Sequence, residues 1–480
     1  MSAPVIHWFR SDLRLNDNPA LSAAMTSGCP VLCVFIFDEE SAGSWSPGGA
    51  SRWWLHHSLE NLALQLGDLG GGLLLRRGNA QAVLQTLIDE TSATAVYWTR
   101  CYEPAAAALE RQVNDTIGSQ VDVHRRGGNL MQEPERLRTG AGQPFKVFTP
   151  FWKALLKQPD PADSIRLPED IDFFSGELDG DALQDWELLP TNPDWAAGLR
   201  ENWTPGEQGA ADALQSFLDN AISDYSDARD RPDQRGTSRL SPHLHFGEIS
   251  PRQVWHAVKF AAQVESRNIK GGDAFLRELG WRDFSYHLLH HWPELPEKPF
   301  RENFANFPWS RDEQALAAWQ QGKTGYPIVD AGMRELWHTG WMHNRVRMIA
   351  ASVLVKHLLV PWQTGARWFW DTLVDADLAN NSASWQWVAG CGADAAPYFR
   401  IFNPIIQGKK FDPDGDYVRR WVPELKDVPN KYIHEPWSMP RDEADAIGFE
   451  PGVHYPEPIV EHGHARTRAL AAFEKVRHAT

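Results

Sequence analysis

The sequence predicts an α/β N-terminal domain, a doubly wound parallel five-stranded sheet, followed by an all-α C-terminal domain. Three observations carry this. Through residue 133, short apolar runs alternate with segments of helical period, as in parallel strands joined by crossover helices. From 134 to 204 the pattern loosens into a Pro-, Asp- and Gly-rich stretch with no sustained period, read as an interdomain linker. From 205 to 480 nearly every apolar pattern recurs at three- and four-residue spacing, the mark of helices.

The elements follow in order. VIHWF from Val5 is an apolar strand. Asn18-Pro19 opens a helix, with Asn as cap and Pro in the first turn. VLCVFIF from Val31 is continuously apolar, as expected of a strand buried on both faces. SRWWLHHSLENLALQL is helical by period, and LLLRRG, AVYWT and VDVHRR supply three more strands. Within the linker, PFWKALLK predicts a short helix. Beyond it, ADALQSFLDNAI, SPRQVWHAVKFAAQVES, GGDAFLRELGWRDFSYHLLHHW, PIVDAGMRELWHTGWMHNRVRMIAASVLVKHLL and ARWFWDTLVDADLA are amphipathic or buried helices.

Composition bounds the function. The 480 residues are 42% hydrophobic and 23% charged, a soluble globular balance. No apolar run reaches the roughly 18 residues of a membrane helix, and MSAPVIHWF lacks the succession of a signal peptide. Four scattered cysteines suit a reducing cytosol rather than a disulfide framework. A net charge of −16 argues against a uniformly basic nucleic-acid surface but leaves room for a local basic patch. The 23 tryptophans are the compositional anomaly. Most read as core, yet many stand beside Arg, Asn or His, where an indole can stack on a planar ligand.

The densest chemistry lies in WDTLVDADLANNSASWQWVAGCGADAAPYFRIF, from Trp370 to Phe402. It sets Asp375, Asp377, a buried-looking Asn380-Asn381 pair, Trp385 and Trp387 in an otherwise small, apolar run. A large, flat, redox-active ligand would use such a set. Other motifs fall away. GKT at 322–324 has Ala317 where a phosphate loop needs Gly. DPDGD from Asp412 misplaces the glycine of a calcium loop and ends it on Pro423. His287, His290 and His291 lack a matched second ligand set and read as a helix-surface cluster, so no metal is assigned. No G-x-G-x-x-G follows the first strand.

Three further clusters matter. GTSRLSPHLHFGE from Gly236 offers Thr237, Ser238, Arg239 and Ser241 either to a phosphate or simply to cap a helix. Glu278, Trp281 and Arg282 share a helix face. They form either an internal ion pair beside a core indole or a site that stacks a base and reads its edge. Asn344, Arg345, Arg347 and Met348 fall within about one turn. The two arginines need counter-charges, for which Asp375 and Asp377 are candidates.

GKTGYPIVDAGMR, TGWMHNRVRM, DADLANNSASWQW, PYFRIFNPIIQGKKFD and HWFRSDLRLNDNPAL resemble the photolyase/cryptochrome family along essentially the whole chain. The resemblance implies an α/β antenna domain (1–133), a linker (134–204) and a helical FAD- and DNA-binding domain (205–480). It implies that Tyr225, Thr237, Ser238, Arg239, Leu240 and Ser241 hold the FAD phosphates. Arg347 and Asp375 would pair beside the isoalloxazine, Asp377 would bind its edge, and Asn381 would face its central-ring nitrogen. Trp281, Arg282 and Asn344 would also border the cofactor. Trp385, Trp362 and Trp309 resemble the family's electron relay. Glu278, Trp281, Asn344, Met348 and Trp387 would line a pocket for a flipped-out pyrimidine dimer. Arg229, Arg282, Arg345 and Arg400 would grip DNA phosphates.

The resemblance also separates sister activities. Enzymes for the (6-4) lesion carry histidines where Asn344 and Met348 stand, and plant-like cryptochromes commonly carry an acid where Asn381 stands. LPTNPDWAAGL, YWTRCYEP and GASRWWLHHSL resemble bacterial class III dimer photolyases. The implied activity is that of a deoxyribodipyrimidine photo-lyase, a light-driven repair enzyme for cyclobutane dimers in UV-damaged DNA. The alternative is a cryptochrome-like light sensor acting through partner proteins. The implied antenna is 5,10-methenyltetrahydrofolate, with a deazaflavin as alternative. The protein is expected to be a cytoplasmic monomer.

Overall fold

The computed structural model describes residues 2–395 and 399–477. Its N-terminal part forms one five-stranded parallel sheet. Chain order is β1 (Val5–Phe9), α1 (Pro19–Met25), β2 (Val31–Phe37), α2 (Gly49–Asp68), β3 (Leu73–Arg77), α3 (Ala80–Thr91), β4 (Ala95–Thr99), α4 (Pro104–Ile117) and β5 (Asp122–Arg126). Strand order is β3-β2-β1-β4-β5, with Val5 in register with Val31 on one side and Ala95 on the other.

The three central strands are buried at every position, which is why they read as unbroken apolar runs. The edge strands carry the arginines: LLLRR and DVHRR keep exposed, charged ends that discourage further pairing. Ile6, Trp8, Val34, Leu84, Trp98 and Val113 pack between sheet and helices. The Asn18 side chain accepts from the Leu21 amide at 3.1 Å, capping α1 as the Asn-Pro step predicts.

The described residues cluster into two compact units. The first comprises Met1–Ser223, Ser238–Pro293 and Val374–Ala379, and the second Asp224–Thr237, Glu294–Leu373 and Asn380–Thr480. In the first unit the loose stretch after residue 133 is fastened rather than free. It forms a helix at Phe148–Leu155, and Val31 exchanges backbone hydrogen bonds with Asp172 and Phe174 at 2.8 and 3.1 Å.

His287 helps to fasten it, which corrects the surface-cluster reading. Its side chain is fully buried, its Nε2 accepts from the Phe145 amide at 3.0 Å, and its Nδ1 lies 3.1 Å from the Pro134 carbonyl. Burial lowers its pKa to about 4, so it stays neutral. His290 and His291 are half-buried.

Among the described residues, the regular elements of the second unit are all helices, apart from one isolated bridge between Pro451 and Tyr455. Its two rejected motifs are local structure. Asp330 is buried and accepts from the Thr324 and Gly325 amides, the Thr324 hydroxyl and the Tyr455 hydroxyl. Asp412 accepts from the Tyr417 and Val418 amides, both at 3.0 Å, and so caps the helix Asp416–Trp421.

One glycine is required by a close approach. Gly247 ends the helix Ser241–Phe246 at φ +70°, and a Cβ there would strike the Ser11 carbonyl and the Asp12 backbone. Its own carbonyl accepts from buried Arg14 at 2.8 Å. Gly247→Ala is expected to destabilise the fold by about 2 kcal/mol from the left-handed backbone alone, with the clash adding to it. A urea midpoint unchanged from the parent would contradict this account.

Candidate active site

In the first unit the short segment Val374–Ala379 brings two carboxylates against the helices Ser241–Phe246 and Ile269–His291. The Asp375 carboxylate accepts the Ser241 hydroxyl at 2.6 Å. Ser241 therefore does not act as a side-chain cap, and the helix it opens has none. Arg239, two residues earlier, sits at φ +55°, a conformation rare for a residue with a side chain. Its guanidinium lies 4.1 Å from the centre of the Trp203 ring. Ser238 Oγ accepts from the Leu240 amide at 3.3 Å, and Leu240 itself is buried.

Asp377 is buried and ionised. Burial opposes its charge, but the His245 ring nitrogen 3.6 Å away, the Arg282 charge and the Tyr286 hydroxyl hold its pKa down to about 2. Nearby, burial first and Asp377 second push the Glu103 carboxyl up, while the Leu378 amide donates to it. A carboxylate this acidic cannot serve as a general acid at neutral pH. It is a fixed hydrogen-bond acceptor, suited to the N–H edge of a heterocycle.

His245, Tyr286 and Glu103 complete this cluster, and the sequence did not single them out for it. Tyr286 had one available signal, its position one turn after Arg282 on the same helix face.

The helix Ile269–His291 places Glu278 and Trp281 half-buried. The Trp281 ring stacks on buried Phe148 with centroids 3.6 Å apart and planes 8° from parallel. Arg282 donates to the carbonyls of Asn129 at 2.6 Å and Leu244 at 3.3 Å, and lies 5.0 Å from the Tyr286 ring centre. The next residue, Asp283, accepts the Met131 and Gln132 amides at 2.9 and 3.0 Å. Its second oxygen is buried without a hydrogen-bond partner. Burial therefore dominates and raises its pKa to about 7, against the lowering pull of Arg282 and the two amides.

In the second unit His343 caps the helix Asn344–Ser352, its Nδ1 accepting from the Arg345 amide at 3.2 Å. Asn344 is exposed and Met348 half-buried. The counter-charge of Arg345 is Asp230, at 2.7 Å, which corrects the expectation that Asp375 or Asp377 would supply it. Arg345 also lies 4.5 Å from the Phe411 ring centre. Arg347 donates to the Met342 carbonyl at 2.6 Å. Arg229 lies 5.5 Å from the ring centre of buried Tyr225, Thr237 is half-buried and Arg400 is exposed.

Asn380 and Asn381 are half-buried rather than buried. The Asn381 side-chain N–H donates to the Ala366 carbonyl at 2.9 Å, which fixes the orientation of the amide. Trp385 and Trp362 are each 2% exposed, while Trp309 and Trp387 are half-buried. Trp385 packs edge-on against Phe369 at 5.0 Å and Trp319 at 6.3 Å. Gly365 admits it, since a Cβ there would strike the indole. Trp319, fully buried and in contact with Trp385, stands outside the relay read from the sequence.

Within the first unit, a buried ionised acceptor and a hydroxyl-rich turn with an arginine at positive φ are groups of the kind a dinucleotide cofactor uses. Within the second, Asn381 is an amide held in one orientation. Residues 5–169 match the DNA photolyase family model, and residues 275–475 match the FAD binding domain of DNA photolyase. The chain is 52% identical to a deoxyribodipyrimidine photo-lyase of Agrobacterium fabrum, across 100% of this chain and 99% of that protein. It is 39% identical to Arabidopsis thaliana cryptochrome-1, across 98% of this chain and 70% of that one. A class III photolyase crystal structure from Agrobacterium tumefaciens superposes with a TM-score of 0.96 at 50% identity, covering 99% of this chain and 98% of that one.

The chain belongs to the photolyase/cryptochrome family and carries its FAD-binding domain. No helix among the described residues is long and apolar enough to cross a membrane.

Asp283 gives a pH test of this geometry. Its pKa is raised from 3.8 to about 7. Its contribution to stability is therefore fully present below pH 3.8 and is lost as pH rises through 7. The loss is at most about 4 kcal/mol. Asp283→Asn, which keeps an oxygen for both amides, is expected to flatten the fall in urea stability between pH 5 and pH 8. A variant whose stability falls as steeply as the parent's would refute the assignment.

Proposed function

We propose that this protein is a light-driven DNA repair enzyme, a deoxyribodipyrimidine photo-lyase acting on cyclobutane pyrimidine dimers. One observation carries the reading: 52% identity to a photo-lyase over the full length of both chains, against 39% to a plant cryptochrome that extends well beyond the match. The carboxamide at Asn381, tied to Ala366, supports repair over signalling. Reduced FAD, when bound, supplies under light the electron that opens the cyclobutane ring, and that electron returns once the two C–C bonds have broken.

The protein's own residues position and protect. In the first unit, Ser238, Arg239, Leu240 and Ser241 are assigned to the cofactor phosphates, and Asp377 to an N–H of the flavin edge. An acid with pKa near 2 stays an acceptor across the physiological range. In the second unit, Tyr225 and Thr237 are assigned to the phosphates, Arg347 to a positive charge beside the ring that favours its anionic reduced form, and Asn381 to its central nitrogen. Trp385, Trp362 and Trp309 are assigned to electron supply.

Lesion recognition is assigned to Glu278 and Trp281 in the first unit and to Asn344, Met348 and Trp387 in the second. Glu278 hydrogen-bonds a base edge, and the indoles stack on bases, worth roughly 1–3 kcal/mol each. A dimer already distorts the duplex, so it costs less to flip than an intact pair. Arg229, Arg282, Arg345 and Arg400 are assigned to backbone phosphates. Arg282 and Arg345 already spend donors within the protein. The antenna is assigned as 5,10-methenyltetrahydrofolate, and the protein as a cytoplasmic monomer.

The direct experiment illuminates the reduced holoprotein with blue light on thymine-dimer DNA. Loss of dimers in light but not in darkness is expected, and no repair under light would leave the sensor reading. A second experiment separates relay from chemistry. Trp385→Phe is expected to slow photoreduction of the oxidised flavin by an order of magnitude or more, about 1.4 kcal/mol per factor of ten, yet to leave repair by chemically pre-reduced protein intact. Loss of both would show that Trp385 is not a relay residue.

A further inference from the structure

Past the carboxyl ends of β4 and β5, within the first unit, lies a cavity of about 550 Å³ that none of the proposed roles uses. It is lined by five arginines, Arg100, Arg125, Arg126, Arg136 and Arg252, against two acids, Glu133 and Glu135. In a chain of net charge −16, such a concentration of positive charge in one cavity runs against composition.

Three of the arginines are engaged. Arg100 bonds both glutamates at 2.6 Å, Arg252 pairs with Asp17, and Arg125 reaches Glu110 at 3.2 Å. Arg126 and Arg136 make no ion pair among the described residues. The amides of Gly127 and Gly128, directly after β5, donate no hydrogen bond there either. Two guanidiniums and two backbone amides thus remain as donors at the lining.

The lining stretch that follows Gly128 is preformed. Arg282 holds the Asn129 carbonyl, Asp283 holds the Met131 and Gln132 amides, and the Tyr102 hydroxyl bonds Glu133 at 2.9 Å. A Cβ at Gly127 would meet the Glu133 carboxylate, the group that pairs with Arg100. A fixed lining spares a ligand the cost of ordering it. The place is also where open parallel sheets take ligands, beyond the carboxyl ends of their strands. The volume falls within the ordinary range for small-molecule sites, roughly 300–1,000 Å³.

We propose that this cavity binds a small polyanion, a molecule with two or more phosphate or carboxylate groups, through Arg126, Arg136 and the Gly127-Gly128 amides. Guanidinium forks match both oxyanions in bidentate geometry, and adjacent free amides form an anion-binding concavity.

Calorimetry on the flavin-loaded full chain in low-salt buffer tests this, with inorganic pyrophosphate and citrate as separate probes. Saturable one-to-one binding of either is expected, and the tighter of the two identifies phosphate or carboxylate as the ligand chemistry. Arg126→Glu combined with Arg136→Glu should weaken it at least about tenfold. Arg111→Glu, which alters an exposed arginine of α4 outside the cavity, should not. Flavin absorbance and circular dichroism of both variants report that the fold is kept. No saturable binding, or equal weakening by Arg111→Glu, overturns the proposal. So does tighter binding of an undamaged DNA oligonucleotide that is lost in the double variant, since the cavity would then be a nucleic-acid surface.

Discussion

Keeping Asp377 ionised in a buried setting is the constraint around which the first unit's site is arranged. An isolated carboxylate in an apolar interior would take up a proton. Here His245 from the helix Ser241–Phe246, and Arg282 and Tyr286 from successive turns of the helix Ile269–His291, prevent it. Because those helices must converge on one carboxylate, the hydroxyl of Ser241 is delivered to Asp375 two residues away. The Leu378 amide, next along the chain, meets Glu103 from the connection after β4. One charge thus aligns the α/β sheet, two helices and the acidic segment.

Arginine shows the complementary economy. Arg14 is fully buried and satisfied mainly by backbone carbonyls at Asp17, Gly128 and Gly247. Arg282 does the same with Asn129 and Leu244. These guanidiniums bolt loops to helices. They are positive charges spent on architecture, so an arginine count overstates what remains for phosphate. Asp283 is the converse, a carboxylate whose two amide bonds do not offset burial.

Much of this was legible in the chain. Unbroken apolar runs foretold the central strands because a parallel sheet covered by helices on both faces buries every side chain. The Asn18-Pro19 step foretold α1 through a cap that acts within three residues. The family motifs, being contiguous, name Asp375, Asp377 and Asn381 as candidates. What failed were readings that depended on distant partners. Helical period put His287 on a surface, yet a linker more than a hundred residues earlier folds over it. Arg345 looked toward the nearest acids in the motif, and Asp230 was the one in reach.

The sequence by itself determined the fold class, the family and the chemical types gathered at the site, because backbone periodicity and short-range capping act over a few residues and family motifs are contiguous. Tertiary structure alone decided which charge meets which, which histidine is sealed from water, that Asp377 keeps its charge while Asp283 titrates near neutrality, and that five arginines share one cavity. Those outcomes depend on distances between residues far apart in the chain and on the loss of water around them. Electrostatic energy in a protein turns on separation and burial, and neither quantity is written in one dimension.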